Sequence, residues 1–330
     1  MMLQSLPLIS LSAFLVLSAI AQTTETSKPI ESPPGKLIDI GGRKLHLYCS
    51  GEGSPTVILV AGGGAFSIDW ALVQPKVASI TRVCSYDRAG LAWSHPGPAD
   101  ETVEQTISDL HMLLQSAGEK GPYILVGASI GGLFIRAYQH AYPDEVAGLV
   151  FVNSTHRVGM NVKDKGGLIW ELSEEEIRSA YPLPASTKSP APTRVGEPFD
   201  RLPPDLQAVR LWLEVRLWEK WDPAKAGPES TLSWRKEFLR EFEETGTGEH
   251  HPLGALPVIV LSSGEHPSEP DRQRQLRNRT DAAAGLDILS SNSLYIVAPE
   301  SGHEIHLYQP ELVIDAIRQV VDSVLHHTKL

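Results

Sequence analysis

Cysteine is scarce in this chain: Cys49 and Cys84 are the only two among 330 residues. Two cysteines cannot staple a small disulfide scaffold, and no CxxC or Cys/His cluster outlines a metal site, so no metal or other cofactor is expected. Basic runs are missing as well. Lys and Arg number 29 against 40 Asp and Glu, for a net charge of −11. Without a Lys/Arg-rich segment there is no electrostatic footprint for nucleic acid or anionic lipid, which leaves small molecules as the expected partner class. Internal repeats are absent too, which excludes solenoids and propellers. What is present is ordinary for a large globular core, with 42% hydrophobic and 21% charged residues.

The first 21 residues carry no charged side chain, and their apolar run from Leu6 to Ile20 is short for a bilayer span. Ala19-Ile20-Ala21 supplies a small-x-small cleavage pattern, so residues 1–21 read as a signal peptide, although no Lys or Arg precedes the apolar run. A polar linker rich in Thr, Ser and Pro follows over residues 22–35. The expectation is a mature chain without a membrane span, secreted or periplasmic, where Cys49 and Cys84 are free to oxidise.

From Lys36 onward short apolar runs alternate with helical patterns. Leu45–Tyr48, Thr56–Ala61, Arg82–Tyr86, Tyr123–Val126 and Gly148–Val152 read as strands. Ile68–Ser79, Thr102–Ala117 and Gly131–Tyr142 carry helix-spaced apolar residues, stopped by Gly118 and Pro143. This alternation predicts a largely parallel sheet with helices on its faces. Strand signals vanish between about Arg157 and Gly254, where charged helical stretches, five tryptophans and a Pro-rich link appear, then return at Pro257–Leu261 and Leu294–Ala298. The closing segment Pro310–Leu325 is an amphipathic helix. One core over residues 36–156 and 255–330, interrupted by a helical lid at 157–254, accounts for the pattern. Trp212, Trp218 and Trp221 recur at near-helical spacing and predict a packing stripe on that lid.

Gly127-Ala128-Ser129-Ile130-Gly131 matches G-x-S-x-G. Five residues with three fixed recur often by chance; the context is what makes this match informative. The apolar strand Tyr123–Val126 precedes it and a helix follows, so Ser129 occupies a strand-to-helix turn that exposes a nucleophile beside a helix N-terminus. A serine hydroxyl needs a base to take its proton as it attacks. His303 follows the last strand and precedes the closing helix, which places it at the carboxyl edge of the sheet with Ser129. His306, its nearest competitor, reads as a helix-start surface group. One oxyanion donor is expected from the backbone N–H of Ile130.

These segments resemble the alpha/beta hydrolase superfamily over nearly all of residues 36–326. Tyr86-Asp87-Arg88-Ala89-Gly90-Leu91-Ala92-Trp93-Ser94 resembles its D-x-x-G-x-G-x-S segment, with Ala92 where a glycine is commoner. Ser301-Gly302-His303 resembles its histidine loop, and Tyr142-Pro143-Asp144-Glu145-Val146 its Y-P-x-x-V link. The resemblance implies an eight-stranded, mostly parallel sheet, and a second oxyanion donor from Gly62-Gly63-Gly64, with Gly63 favoured. It also implies that the strands carrying Cys49 and Cys84 are neighbours, so that a bridge is geometrically possible.

The triad acid most often follows the seventh strand in this family, which points to Glu265 first and Glu269 or Asp271 next. The family's alternative position, the end of the sixth strand, is here Asn153, which carries no charge. The expected activity is hydrolysis of a small ester-like substrate through an acyl-enzyme on Ser129. Amide, lactone or carbon–carbon cleavage, and a non-catalytic ligand-binding role on the same fold, are the alternatives.

Overall fold

The computed structural model describes residues 33–98, 102–154, 163–164, 167–168, 188–222, 251, 253–264 and 289–330. The expected signal peptide, most of the linker, much of the insert, and Glu265, Glu269 and Asp271 lie outside the described residues.

Eight strands form one sheet: β1 Lys36–Asp39, β2 Lys44–Ser50, β3 Thr56–Val60, β4 Val83–Tyr86, β5 Tyr123–Ala128, β6 Val146–Val152, β7 Val258–Ser263 and β8 Ser293–Ala298. Their spatial order is β1-β2-β4-β3-β5-β6-β7-β8. The β1–β2 and β2–β4 pairs are antiparallel, and every other pairing is parallel. Strands β3 and β5 are buried along their whole length, as strands covered on both faces must be, which explains their unbroken apolar runs.

Period-2 alternation sends successive side chains of each strand to opposite faces. Ile58, Val60 and Leu125 therefore join one core layer with helices α1 (Val103–Ala117) and α2 (Gly131–Ala141). Val57, Leu59, Ile124 and Val126 join the opposite layer with α4 (Pro310–His326). Thr102 caps α1 by accepting from the Gln105 N–H at 3.1 Å, and Gly118 ends it in a left-handed conformation.

Three expectations are corrected. The helix read over Ile68–Ser79 is broken into a 3-10 turn, Ser67–Trp70, and a single α turn, Gln74–Val77. Pro75 lacks the N–H that a continuous helix needs, and its ring would meet the carbonyl four residues back. The edge strand β1 went unseen because four mostly exposed residues carry too short an alternation to register. The insert is also not purely helical, since Lys163–Asp164 and Gly167–Leu168 pair antiparallel.

Cys49 lies directly opposite Cys84 in the β2–β4 register, and the two form a disulfide. Between β6 and β7 the chain runs through helix α3 (Pro204–Lys220). Val209 and Leu213 of α3 pack with Phe66 and Ile68, against Leu91, Trp93 and Trp212. Of the tryptophan stripe, only Trp212 joins this contact. Trp218 donates its Nε1–H to the Ser189 carbonyl at 2.9 Å, and Trp221 is 41% exposed. No helix among the described residues is long and apolar enough to cross a membrane.

Candidate active site

Strand β5 ends at Ala128 and α2 begins at Gly131, so Ser129 and Ile130 make the whole turn. Ser129 adopts φ +52°, a left-handed conformation that costs a non-glycine residue about 1 kcal/mol or more and persists only where the surroundings impose it. Those surroundings are tight. A Cβ on Gly127 would lie 2.5 Å from the Gly131 carbonyl oxygen, and one on Gly131 would lie 2.5 Å from that of Val60. The absent side chains let α2 press against β5 and β3, and Ser129 is lifted out of the turn. Its N–H donates to the Val152 carbonyl at 3.2 Å, tying the turn to the end of β6.

The glycine run after β3 passes beside this turn. A Cβ on Gly62 would stand 3.1 Å from Ser129 Cβ and 3.8 Å from its Oγ, and one on Gly63 would lie 3.9 Å from Ile130 Cγ2. Ile130 caps α2, so the serine stands at the positive end of a helix, which favours developing negative charge.

His303 lies in the loop after β8 and is solvent-exposed. Asn153, the residue after β6, reaches it: Nδ2 is 2.8 Å from His303 Nδ1 and 3.2 Å from the His303 carbonyl oxygen. Asn153 Oδ1 in turn accepts from the N–H and Oγ of Ser263, at 3.2 and 3.1 Å. Because a backbone N–H can only donate, Ser263 sets the amide's orientation and aims Nδ2 at the histidine. Ser129 is tied to Val152 and His303 to Asn153, so the ends of β5, β6 and β7 gather both residues at one sheet edge. The loop after β7, which continues into Glu265, starts there too, since a Cβ on Gly264 would lie 2.5 Å from the carbonyls of Ala298 and Pro299.

His306 is corrected outright. It is 3% exposed and lies tilted against Trp70 at 4.5 Å between ring centroids, and burial lowers its pKa. The short turn Ile305–Tyr308 faces its side chain inward, a fact that only the docking of this turn on Trp70 decides.

Sequence reasoning also missed an ionic contact between α3 and the core. Arg210 Nε is 2.8 Å from Asp69 Oδ1, and the guanidinium lies 4.4 and 4.1 Å from the ring centroids of Phe66 and Phe199. Asp69 is fully buried; burial pushes its carboxyl up to about 7 against the opposing pull of Arg210. Neither residue sits in a motif, so no local signal marks the pair.

A second Ser/His/Asp group lies nearby but is arranged differently. Ser67 Oγ and Asp87 Oδ2 approach the same nitrogen, His46 Nδ1, at 3.3 and 2.7 Å, while Nε2 meets the Pro34 carbonyl. All three side chains are buried. With both partners on one nitrogen and no opening to solvent, this group braces the chain rather than relaying a proton.

Residues 57–316 match the model of the alpha/beta hydrolase family. The chain belongs to that family. Its relatives of this fold have varied descriptions. It is 28% identical over 317 residues to a probable transporter, efuK, of Hormonema carpetanum, covering 87% of this chain but only 42% of that protein's length. A thermophilic esterase from Thermogutta terrifontis superposes with a TM-score of 0.58 at 20% identity, over 89% of this chain and 99% of the esterase. A meta-cleavage product hydrolase from Pseudomonas fluorescens IP01 gives 0.58 at 17% identity, over 88% and 98%. At these identities the two structures share the fold with this chain, and any activity must be argued from its own residues.

Proposed function

We propose that this hydrolase cleaves a small ester-like substrate through an acyl-enzyme on Ser129. The observation that carries the reading is the left-handed Ser129 turn with Gly62 packed against its side chain. In the proposed reaction Ser129 Oγ attacks the carbonyl carbon as His303 takes the hydroxyl proton. The N–H groups of Ile130 and Gly63 receive the oxyanion, and the alcohol leaves with the proton from His303. Water then attacks the acyl-enzyme with His303 again as base, releasing the acid and restoring Ser129.

The imidazolium formed midway needs a carboxylate. In the described arrangement Asn153 donates to Nδ1, which leaves the ring proton on Nε2; taking the Ser129 proton requires Nδ1–H to face a carboxylate, so the acid is assigned to Glu265 in the loop after β7, which takes the place of Asn153 at Nδ1 in the reacting enzyme. Helix α3 is assigned as part of a lid that roofs the substrate site, because its apolar face packs on Phe66 and Ile68 just beyond the glycine run. Export is the proposed location, supported by the Cys49–Cys84 bridge, since disulfides persist in oxidising compartments.

The test is fluorophosphonate labelling together with hydrolysis of p-nitrophenyl esters of increasing chain length. Ser129→Ala is expected to lose labelling and all but a trace of turnover, with an unchanged fold. Glu265→Gln is expected to cut kcat by orders of magnitude. An unlabelled wild type that binds the esters without turnover would instead favour a non-catalytic binding protein.

A further inference from the structure

The two halves of the proposed oxyanion hole come from different parts of the chain, the glycine run after β3 and the elbow after β5. Something must hold them in register, and Arg88 touches both. Its side chain is nearly buried, at 8% exposure. Nη1 donates to the Ala61 carbonyl at 2.6 Å and Nη2 to the Gly62 carbonyl at 2.7 Å. On its other side the guanidinium lies 5.2 Å from the ring centroid of Phe134, which sits one helical turn beyond Ile130 on α2.

We propose that Arg88 is a positioning residue for ester hydrolysis, fixing the peptide planes that present the Gly63 N–H to the developing oxyanion. The inference rests on the serine-hydrolase reading above. In a trans peptide the C=O and the following N–H point in opposite directions, and neither the Ala61–Gly62 nor the Gly62–Gly63 bond is among the cis peptides. Holding the Gly62 carbonyl therefore aims the Gly63 N–H away from the guanidinium, and holding the Ala61 carbonyl does the same for Gly62. Glycine peptides left alone would flip readily. Charge-assisted hydrogen bonds to both carbonyls also polarise these peptides, making their N–H groups stronger donors. The neighbouring Asp87 closes the far end of the loop: its Oδ1 accepts the Ser67 N–H at 2.7 Å. The two adjacent side chains thus grip residues 61–67 at both ends.

The experiment compares wild type, Arg88→Met, Arg88→Lys and Ser129→Ala, the last as the control for the underlying reading. For each we would measure kcat and KM on a p-nitrophenyl ester, affinity for a trifluoromethyl ketone that forms a tetrahedral adduct, affinity for a non-reactive substrate amide, and thermal stability. Arg88→Met is expected to lower kcat about 100-fold, the scale of losing one oxyanion donor, with KM within about twofold. Ketone affinity should fall in parallel while amide affinity holds. Arg88→Lys, whose single ammonium reaches fewer acceptors at once, should recover part of the loss.

A merely structural arginine would lower stability and weaken ketone and amide alike, and that result overturns the proposal. So does an Arg88→Met enzyme with wild-type kcat while Ser129→Ala is inactive, an outcome that leaves the serine-hydrolase reading standing. Full turnover by Ser129→Ala overturns the reading itself. If Arg88→Met fails to fold, the ketone-to-amide affinity ratio of Arg88→Lys decides, and an unchanged ratio refutes the role.

Discussion

Gly127→Ala adds one methyl group at the base of the Ser129 turn, and the structure sets its consequence. The new Cβ would lie 2.5 Å from the Gly131 carbonyl oxygen, 2.6 Å from its carbon and 2.7 Å from the Gly132 nitrogen. Carbon contacts settle near 3.5 Å or beyond, so the first turn of α2 must retreat by nearly 1 Å. These atoms are backbone and cannot rotate aside. Gly131 is itself pressed against the Val60 carbonyl, so the helix cannot roll toward β3 to relieve the contact. Overpacking of this kind costs about 1–3 kcal/mol, a fall in Tm of several degrees at about 2–4 °C per kcal/mol. A misplacement of about 1 Å at a reacting group costs about 100-fold in rate.

Gly127→Ala should therefore remain folded, melt several degrees lower and lose about two orders of magnitude in kcat on a p-nitrophenyl ester. Its fluorophosphonate labelling should slow in step. Gly196→Ala is the control, because nothing lies within 4 Å of its added Cβ, and it should match wild type. A Gly127→Ala enzyme with kcat within twofold of wild type would refute the argument that this close approach sets the position of Ser129.

Replacing both Cys49 and Cys84 by Ser opens a loop with a sequence separation of 35, which in the chain-entropy treatment lowers stability by about 4 kcal/mol. Urea unfolding with and without reductant measures it, and a midpoint that ignores reductant contradicts the bridge. Buried Asp69 makes stability depend on pH. It is raised to about 7 in the folded state, so the folded protein binds more protons than the unfolded chain, and this group's contribution to global stability declines as pH rises from about 4 to 7. Arg210, Glu214, Glu304, Asp87 and His306 are its charged and titratable neighbours. Urea unfolding followed across this range should show a steeper fall in wild type than in Asp69→Asn, whose amide cannot ionise. Equal pH dependence in the two proteins would rule Asp69 out as the source.

Much of this fold was legible because its signals are local. The parallel strands are buried on both faces, so they appear as unbroken apolar runs such as Thr56–Val60 and Val146–Val152. The G-x-S-x-G turn needs glycines at fixed offsets because two backbones touch there, and a sequence displays that need directly. His303 could be placed because the order of strand, loop and closing helix is itself one-dimensional. What stayed hidden depends on partners far apart in the chain. His306 looked like a surface group until the docking of its short turn on Trp70 buried it. Pro75 broke a helix whose apolar spacing had looked continuous.

By itself the sequence determined the alternation of strands and helices, the tight turn at Ser129 and the side of the sheet where His303 emerges, since propensity, periodicity and tight-turn chemistry act over a few residues. Only the tertiary structure decided that Cys49 meets Cys84, that Asn153 reaches His303 from 150 residues away, that Arg210 of the insert enters the core at Asp69, and that Arg88 grips the carbonyls of Ala61 and Gly62. Each of these joins groups far apart in the chain, and no local pattern, even where one partner lies in a motif, names the other. They meet because sheet order and helix packing bring them together; a covalent bridge holds the first, and the hydrogen bonds and ion pair that hold the others gain their strength once that packing has excluded water.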